Sequence, residues 1–438
     1  MPDASVNGRS PSVPLHDLVI ADARLRRGVE DPLSGDIRDL GVVDGRIATI
    51  SPEPLQGVDR IDAAGCLVLP SFVDAHLHLD KVHTWHQTGG QARAAYAGAG
   101  MGAAATAIEL AAAVKDDYDE ATILDRARTV LLDGLRHGIT HVRAFADTDT
   151  RAGLRGVRPL LALRDELAGV VHVEVVAFPQ DGIECDPGAT DIVEEALRLG
   201  ADVVGGIPWI EDTDRESQAH IDQVFDLAVR YDRDVAMLTD DAGDPALQTT
   251  AALASAAIDR GWTDRITACH ARALGLYPEP RVHRLARLAR RAGMAFVTNP
   301  HTAPLALPVE TLLAAGLPVA LGQDDVADAY YPFGQHNLLE VALLAAHALD
   351  MTSPMAMEHL LDMVTVHGAR ALRLDGHGIA VGAAADLVVL DGDDARAVLA
   401  THRPPRQVIS GGRVVATSQM TSEVHTAAPA RGGASTTT

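Results

Sequence analysis

The chain has 438 residues, of which 47% are apolar but only 3% aromatic, so it can bury a large core built from Ala, Val and Leu. That length allows one large barrel with an appendage, or two to three domains of about 100–200 residues. The formal charge is 37 − 60 = −23 and no Lys/Arg-rich block stands out, which argues against a nucleic-acid polymer or an anionic membrane as partner.

Residues 1–14 are polar and Pro/Ser-rich and read as a disordered N-terminus without a secretory h-region. No apolar run approaches the ~18–20 residues of a membrane span. Cys66, Cys185 and Cys269 lie far apart and form no C-x-x-C pair. Zinc ribbons and H-x-E…P-C-x-x-C deaminases are thereby excluded, and an odd cysteine count without a signal segment suggests a cytoplasmic location. Next come short strands and turns: LGVVDGRIATI carries an Asp-Gly turn between two apolar alternations, a hairpin signal. The far end answers with AADLVVLDG (384–392) and QVISGGRVVA (407–416). Residues 15–66 and 378–420 are therefore expected to assemble one small composite β-sandwich domain.

Between them, residues 67–377 alternate strand and helix. Strand-like runs occupy 67–77, 140–148, 171–179, 201–209, 234–241, 265–271, 294–300 and 317–325, each followed by a segment of helical length and period. Eight β/α units point to an α/β fold of the closed (β/α)8 TIM barrel type. A doubly wound open sheet is the runner-up, but no G-x-G-x-x-G opens a helix after the first strand. Residues 421–438 lack periodicity and read as a disordered tail.

In such a barrel, reactive residues come from the C-terminal ends of strands. The first run ends in His76-Leu77-His78-Leu79-Asp80-Lys81. Side chains alternate along a strand, so His76 and His78 share a face and form half of a metal site. Lys81 and Lys115 are the only lysines among 37 basic residues, and Lys81 sits beside that motif where Arg would be the default. The third run ends in Gln180, an amide able to donate and accept, which suits an amide-like or heterocyclic substrate. The sixth ends in His270, and the eighth in Gly322-Gln323-Asp324-Asp325, where Asp324 could bind a metal, act as a base, or do both. His83, His86, His137, His141, His336, His347 and His367 are assigned no role.

PSFVDAHLHLD, VVAFPQDGI, EEALRLGADVVGGIP, ITACHA, FVTNP and LGQDDVADAYYPFGQHNLLE resemble, in order and spacing from about residue 67 to 372, the cytosine deaminase branch of the metal-dependent amidohydrolase superfamily. The resemblance implies one divalent metal, iron or zinc, held by His76, His78 and Asp324. It makes Asp324 and His270 catalytic, Asp324 relaying a proton and His270 polarising the attacking water. It places Gln180, Asp325 and Tyr330, the last where the family has Trp, against a small-molecule substrate, with Lys81 beside them. A homo-oligomer is also implied. The chain departs from the family at three positions. Leu238 stands where the fifth strand of D-V-H-x-D-E carries a metal His, Asp241 where it carries a catalytic Glu, and Gln323 where G-H-D-D carries His. Leucine cannot coordinate, so the metal is expected to be held by a rearranged set, with His270 moving in, or to be bound weakly or lost. Three readings stay open. One is a hydrolase of C–N bonds in a small nitrogen heterocycle, one a lyase or dehydratase on the same scaffold, and one a catalytically silent binding homologue.

Overall fold

A computed structural model describes residues 15–26, 35–88, 90–96, 101–302 and 305–424. The expected disordered N-terminus, 1–14, and most of the expected tail, 425–438, lie outside these residues. Along the chain come β1 (His16–Arg26), β2 (Gly35–Val43), β3 (Arg46–Ser51), β4 (Gly57–Asp62) and β5 (Leu67–Pro70). The central strands follow: β6 (Phe72–His78), β7 (Ile139–Asp147), β8 (His172–Phe178), β9 (Val203–Gly206), β10 (Asp234–Thr239), β11 (Ile266–His270), β12 (Ala295–Thr298) and β13 (Val319–Leu321). Three more, β14 (Leu387–Val389), β15 (Gln407–Ser410) and β16 (Arg413–Thr417), complete the set.

Strands β6 to β13 pair in parallel and in chain order, with helices between them. Their residues are buried on both faces, which is why the sequence shows continuous apolar runs. The first and last strands meet just past β13. Asp324 pairs with Leu77, the N–H of His78 donates to the Asp324 carbonyl at 2.8 Å, and the N–H of Asp324 donates to the His76 carbonyl at 2.8 Å. That closure sets the first-strand histidines beside Asp324. Helices cap themselves locally: Asp119 and Thr213 accept the N–H of Thr122 and Glu216 at the starts of Glu120–Arg136 and Asp214–Tyr231.

The β domain is one sheet in the order β16-β15-β14-β5-β1-β2-β3, with β4 also on β1, so both chain ends build it as expected. Its β2–β3 hairpin turns at Asp44-Gly45, both at positive φ (49° and 73°), the two-residue turn that Asp-Gly favours. The run 67–77, read as one strand, divides at Pro70-Ser71. Leu67–Pro70 pairs with β1 and β14, and only Phe72–His78 belongs to the barrel. An apolar run suits either sheet, so periodicity alone could not place the break. Among the described residues no helix is long and apolar enough to cross a membrane.

Candidate active site

His76 and His78 end β6, His270 ends β11, and Asp324 follows β13 by three residues. Their donor atoms lie within 4.8 Å of one another, and all four residues are buried. The Nε2 atoms of His76 and His78 are 3.3 Å apart, and Asp324 Oδ1 stands 3.3, 3.8 and 3.9 Å from the Nε2 atoms of His76, His78 and His270. Ligands about 2.0–2.1 Å from a tetrahedral zinc are themselves about 3.3 Å apart, so the spacing fits one divalent cation. Three imidazoles and a carboxylate also suit zinc or iron chemically. Burial first, then neighbouring cations, pulls His78 and His270 well below the usual histidine range, keeping both neutral and able to ligate. Burial opposes ionisation of Asp324, but His270 and His76 outweigh it and hold that carboxyl well below its ordinary value. His270 (φ 64°) and Asp324 (φ 67°) both occupy the left-handed backbone region, costly for non-glycine residues and concentrated at functional sites. The Phe145 ring packs on the His76 and His78 rings at 4.1 and 5.5 Å and fixes their planes.

Leu238 lines the cleft above this cluster, so the aliphatic substitution faces the site and His270 supplies the fourth donor. Asp241 also lines the cleft but is engaged: Arg272 Nη1 lies 2.5 Å from its Oδ1. Burial raises the Asp241 carboxyl to about 7 despite the guanidinium, with Asp324 pushing the same way. Arg272 is itself buried, donates to Thr302 Oγ1 at 2.6 Å and stands 3.6 Å from Asp324 Oδ2. Sequence reasoning missed it; its one signal is a position two residues beyond a strand-end His. The adjacent Asp240, at φ 47°, is structural, accepting from the N–H groups of Thr249 and Thr250. Gln323 turns away from the cleft, donating to the Asp325 carbonyl and accepting from the N–H of Asn337.

Gln180, Asp325 and Tyr330 line the same cleft, which measures about 460 Å³ including its open mouth, opposite Ile207 and Trp209. Lys81 does not line it. Lys81 Nζ donates to Asp147 at 3.0 Å and to Gln180 Oε1 at 3.1 Å. With its oxygen so engaged, Gln180 is left its NH2 donors for other partners. Lys115, 3.3 Å from the same Asp147, also meets Asp149 and Asp181, so both lysines of the chain serve one buried network. Burial, then Asp324 and Asp328, raises Asp325 well above its ordinary value. His336, assigned no role, is buried between Asp74 and the Val130 carbonyl.

A closed (β/α)8 barrel whose mouth gathers a His-x-His pair, a further His and an Asp is the framework of a metal-dependent hydrolase. Residues 87–416 match the Amidohydrolase family. N-isopropylammelide isopropyl amidohydrolase of Pseudomonas sp. (strain ADP) is 30% identical over 410 residues, covering 91% of this chain and 97% of that one. Pterin deaminase of Rhizobium rhizogenes is 26% identical over 399 residues, 86% of this chain and 87% of the other. The crystal structure of 5-methylcytosine deaminase from Klebsiella pneumoniae liganded with 5-fluorocytosine superposes with a TM-score of 0.82 at 30% identity, covering 93% of this chain and 99% of that one. The chain belongs to the amidohydrolase family, in its cytosine deaminase-like branch.

Proposed function

We propose that the protein hydrolyses a C–N bond of a small nitrogen heterocycle, using a divalent ion held by His76, His78, His270 and Asp324. The observation that carries this reading is the convergence of those four donors at the floor of a cleft whose wall presents the Gln180 amide. The relatives are named for ammelide, pterin and cytosine substrates, all nitrogen rings. When bound, such an ion supplies water acidified from a pKa of 15.7 towards about 7.

The chain's own groups do the rest. Lys81 holds the Gln180 oxygen, so the amide NH2 grips an acceptor edge of the ring, a carbonyl or a bare ring nitrogen. Asp324 takes a proton from the attacking water and passes it on. Asp241, raised by burial to about 7, exchanges a proton near neutral pH and in its protonated form gives it to the departing nitrogen, in the place where the family pattern has Glu. Arg272 fixes the direction of that carboxyl and makes up for its missing methylene by anchoring it over the cleft. Asp325 and Tyr330 bound the ring.

The test is ammonia or amine release across cytosine, isoguanine, creatinine and triazine rings. Release should vanish on chelation, return with zinc or iron, and be absent in Asp324→Asn. Metal-loaded protein that releases nothing from any of these rings overturns the hydrolase reading in favour of altered chemistry or a binding role.

A further inference from the structure

The barrel's opposite end holds a second set of side chains with metal-ligand chemistry. His141 is the third residue of β7. It shares strand parity with Arg143, whose guanidinium reaches Thr267 of β11 across the barrel at 3.1 Å, so His141 faces the interior near its N-terminal floor. His377 and Asp386 come from the connection that leads the chain out of the barrel and into β14. One donor atom from each of the three residues lies within 4.8 Å of the others. The His141 and His377 rings meet edge to face, at 5.3 Å and 79°.

Each side chain is held by its other polar atom. His377 Nε2 is 2.9 Å from the Ser71 carbonyl. A carbonyl only accepts, so Nε2 carries the proton and Nδ1 keeps its lone pair. His141 Nδ1 is 2.9 Å from Thr140 Oγ1, which is 2.5 Å from Ser71 Oγ, and this hydroxyl chain leaves Nε2 for another partner. Asp386 Oδ1 accepts the N–H of Gly411 at 2.7 Å, leaving Oδ2. Ligating imidazoles and carboxylates carry outer partners of this kind, which set the tautomer and the ring plane. Burial lowers His141 to about 3 and lowers His377 as well, so both rings are neutral donors. All three residues are only half-buried, which leaves room for water to complete a coordination shell. Reaching the roughly 3.3 Å spacing of ligands on one tetrahedral ion asks for side-chain shifts of about 1 Å.

We propose that His141, His377 and Asp386 form a second divalent transition-metal site, completed by solvent, that staples the β domain to the barrel floor. Two imidazoles and one carboxylate select zinc, cobalt, nickel or iron over magnesium or calcium. The ion would tie β7 to the chain on its way into β14, and through Gly411 to the β15–β16 turn. It is remote from the substrate cleft, so its role is structural: binding free energy at such a site is folding free energy.

The experiment counts cobalt(II) bound per chain when metal-free protein is titrated to saturation, for the native chain, His377→Ala and Asp386→Asn. Asp386→Asn keeps a side-chain oxygen for Gly411 and is the milder variant for folding. Each variant should bind one equivalent fewer than the native chain. The last equivalent should raise the thermal midpoint of the native chain and leave that of the variants unmoved. The count is a difference between proteins, so it reads this site whether or not the barrel mouth takes an ion. Equal cobalt counts in native and Asp386→Asn protein would overturn the proposal.

Discussion

Arg272→Met isolates the ion pair that stands where the family pattern has a longer acid. The native guanidinium lies 2.5 Å from Asp241 and 3.6 Å from Asp324, with 4% side-chain exposure against 8% and 6% for the two carboxylates. Water can reach none of the three well. Well above pH 7, where Asp241 is ionised in the native protein, removing the guanidinium leaves an uncompensated buried charge, which costs up to about 3–5 kcal/mol. Methionine fills most of the arginine stem's volume, so packing loss adds little. Replacing the whole pair with apolar groups is often nearly neutral. The double variant Arg272→Met/Asp241→Leu should therefore recover about 2–3 kcal/mol relative to Arg272→Met alone, short of full recovery because Asp324 still lacks its neighbour. The assay is urea unfolding, at a pH well above 7, of the metal-free native, two single and one double proteins. Single-variant losses that simply add would refute the pairing.

Leu238→His restores an imidazole at the cleft wall, and metal affinity measured by chelator competition should rise by about tenfold or more, since even an outer-shell partner is worth about 10–100-fold; unchanged affinity would mean the end of β10 does not reach the ion. Lys81→Met frees the Gln180 oxygen, and a charged hydrogen bond is worth about 1.5–3 kcal/mol. KM for the substrate found in the release screen should rise by about tenfold with kcat little changed; an equal fall in kcat alone would assign Lys81 to the chemical step. Glu211 accepts the N–H groups of Ile183 and Cys185 and the His220 ring, and although burial opposes it, these bonds lower its carboxyl to about 2 from an ordinary 4.5. A depressed acid stabilises the fold fully above its unfolded value and loses that contribution as pH falls through its folded value. About 3 kcal/mol should disappear between roughly pH 4.5 and 2, and Glu211→Gln should flatten that limb of the stability curve; an unaltered acid limb would rule this carboxylate out.

The barrel and half of its mouth were legible because their signals are local. Eight apolar runs separated by helical periods need no tertiary information, and His-x-His must share a face in any extended strand. What was not legible depends on contacts between strands. Residues 67–77 look like one strand until β1 and β14 claim Leu67–Pro70. Asp240 and Asp241 are identical neighbours in sequence. Which one caps a helix and which one faces the cleft follows from the positive φ at Asp240 and the loop's closure on Thr249. Arg272 is one of many arginines, and nothing beside it marks it as buried. Lys81 stands out in the sequence by its rarity, but its bonds to Asp147 and Gln180 come from residues 66 and 99 positions away.

Two backbone outliers bear on whether the mouth is a working site or a relic. A non-glycine residue in the left-handed region can cost about 1–3 kcal/mol, and in this chain such residues also close turns, as at Asp44 and Asp240. His270 and Asp324 both hold such a conformation, at φ 64° and 67°, His270 as the last residue of β11 and Asp324 at the bridge to Leu77 just past β13. There the backbone turn swings an imidazole and a carboxylate toward the same point as His76 and His78. Leu238, in contrast, sits in ordinary strand register opposite Cys269 and packs with the barrel interior. Two of the chain's left-handed residues thus carry donor atoms of the cluster, while Leu238 has ordinary strand backbone. Both turns aim donor atoms at the point that His76 and His78 share, which supports the proposed site with His270 in the place of a β10 ligand.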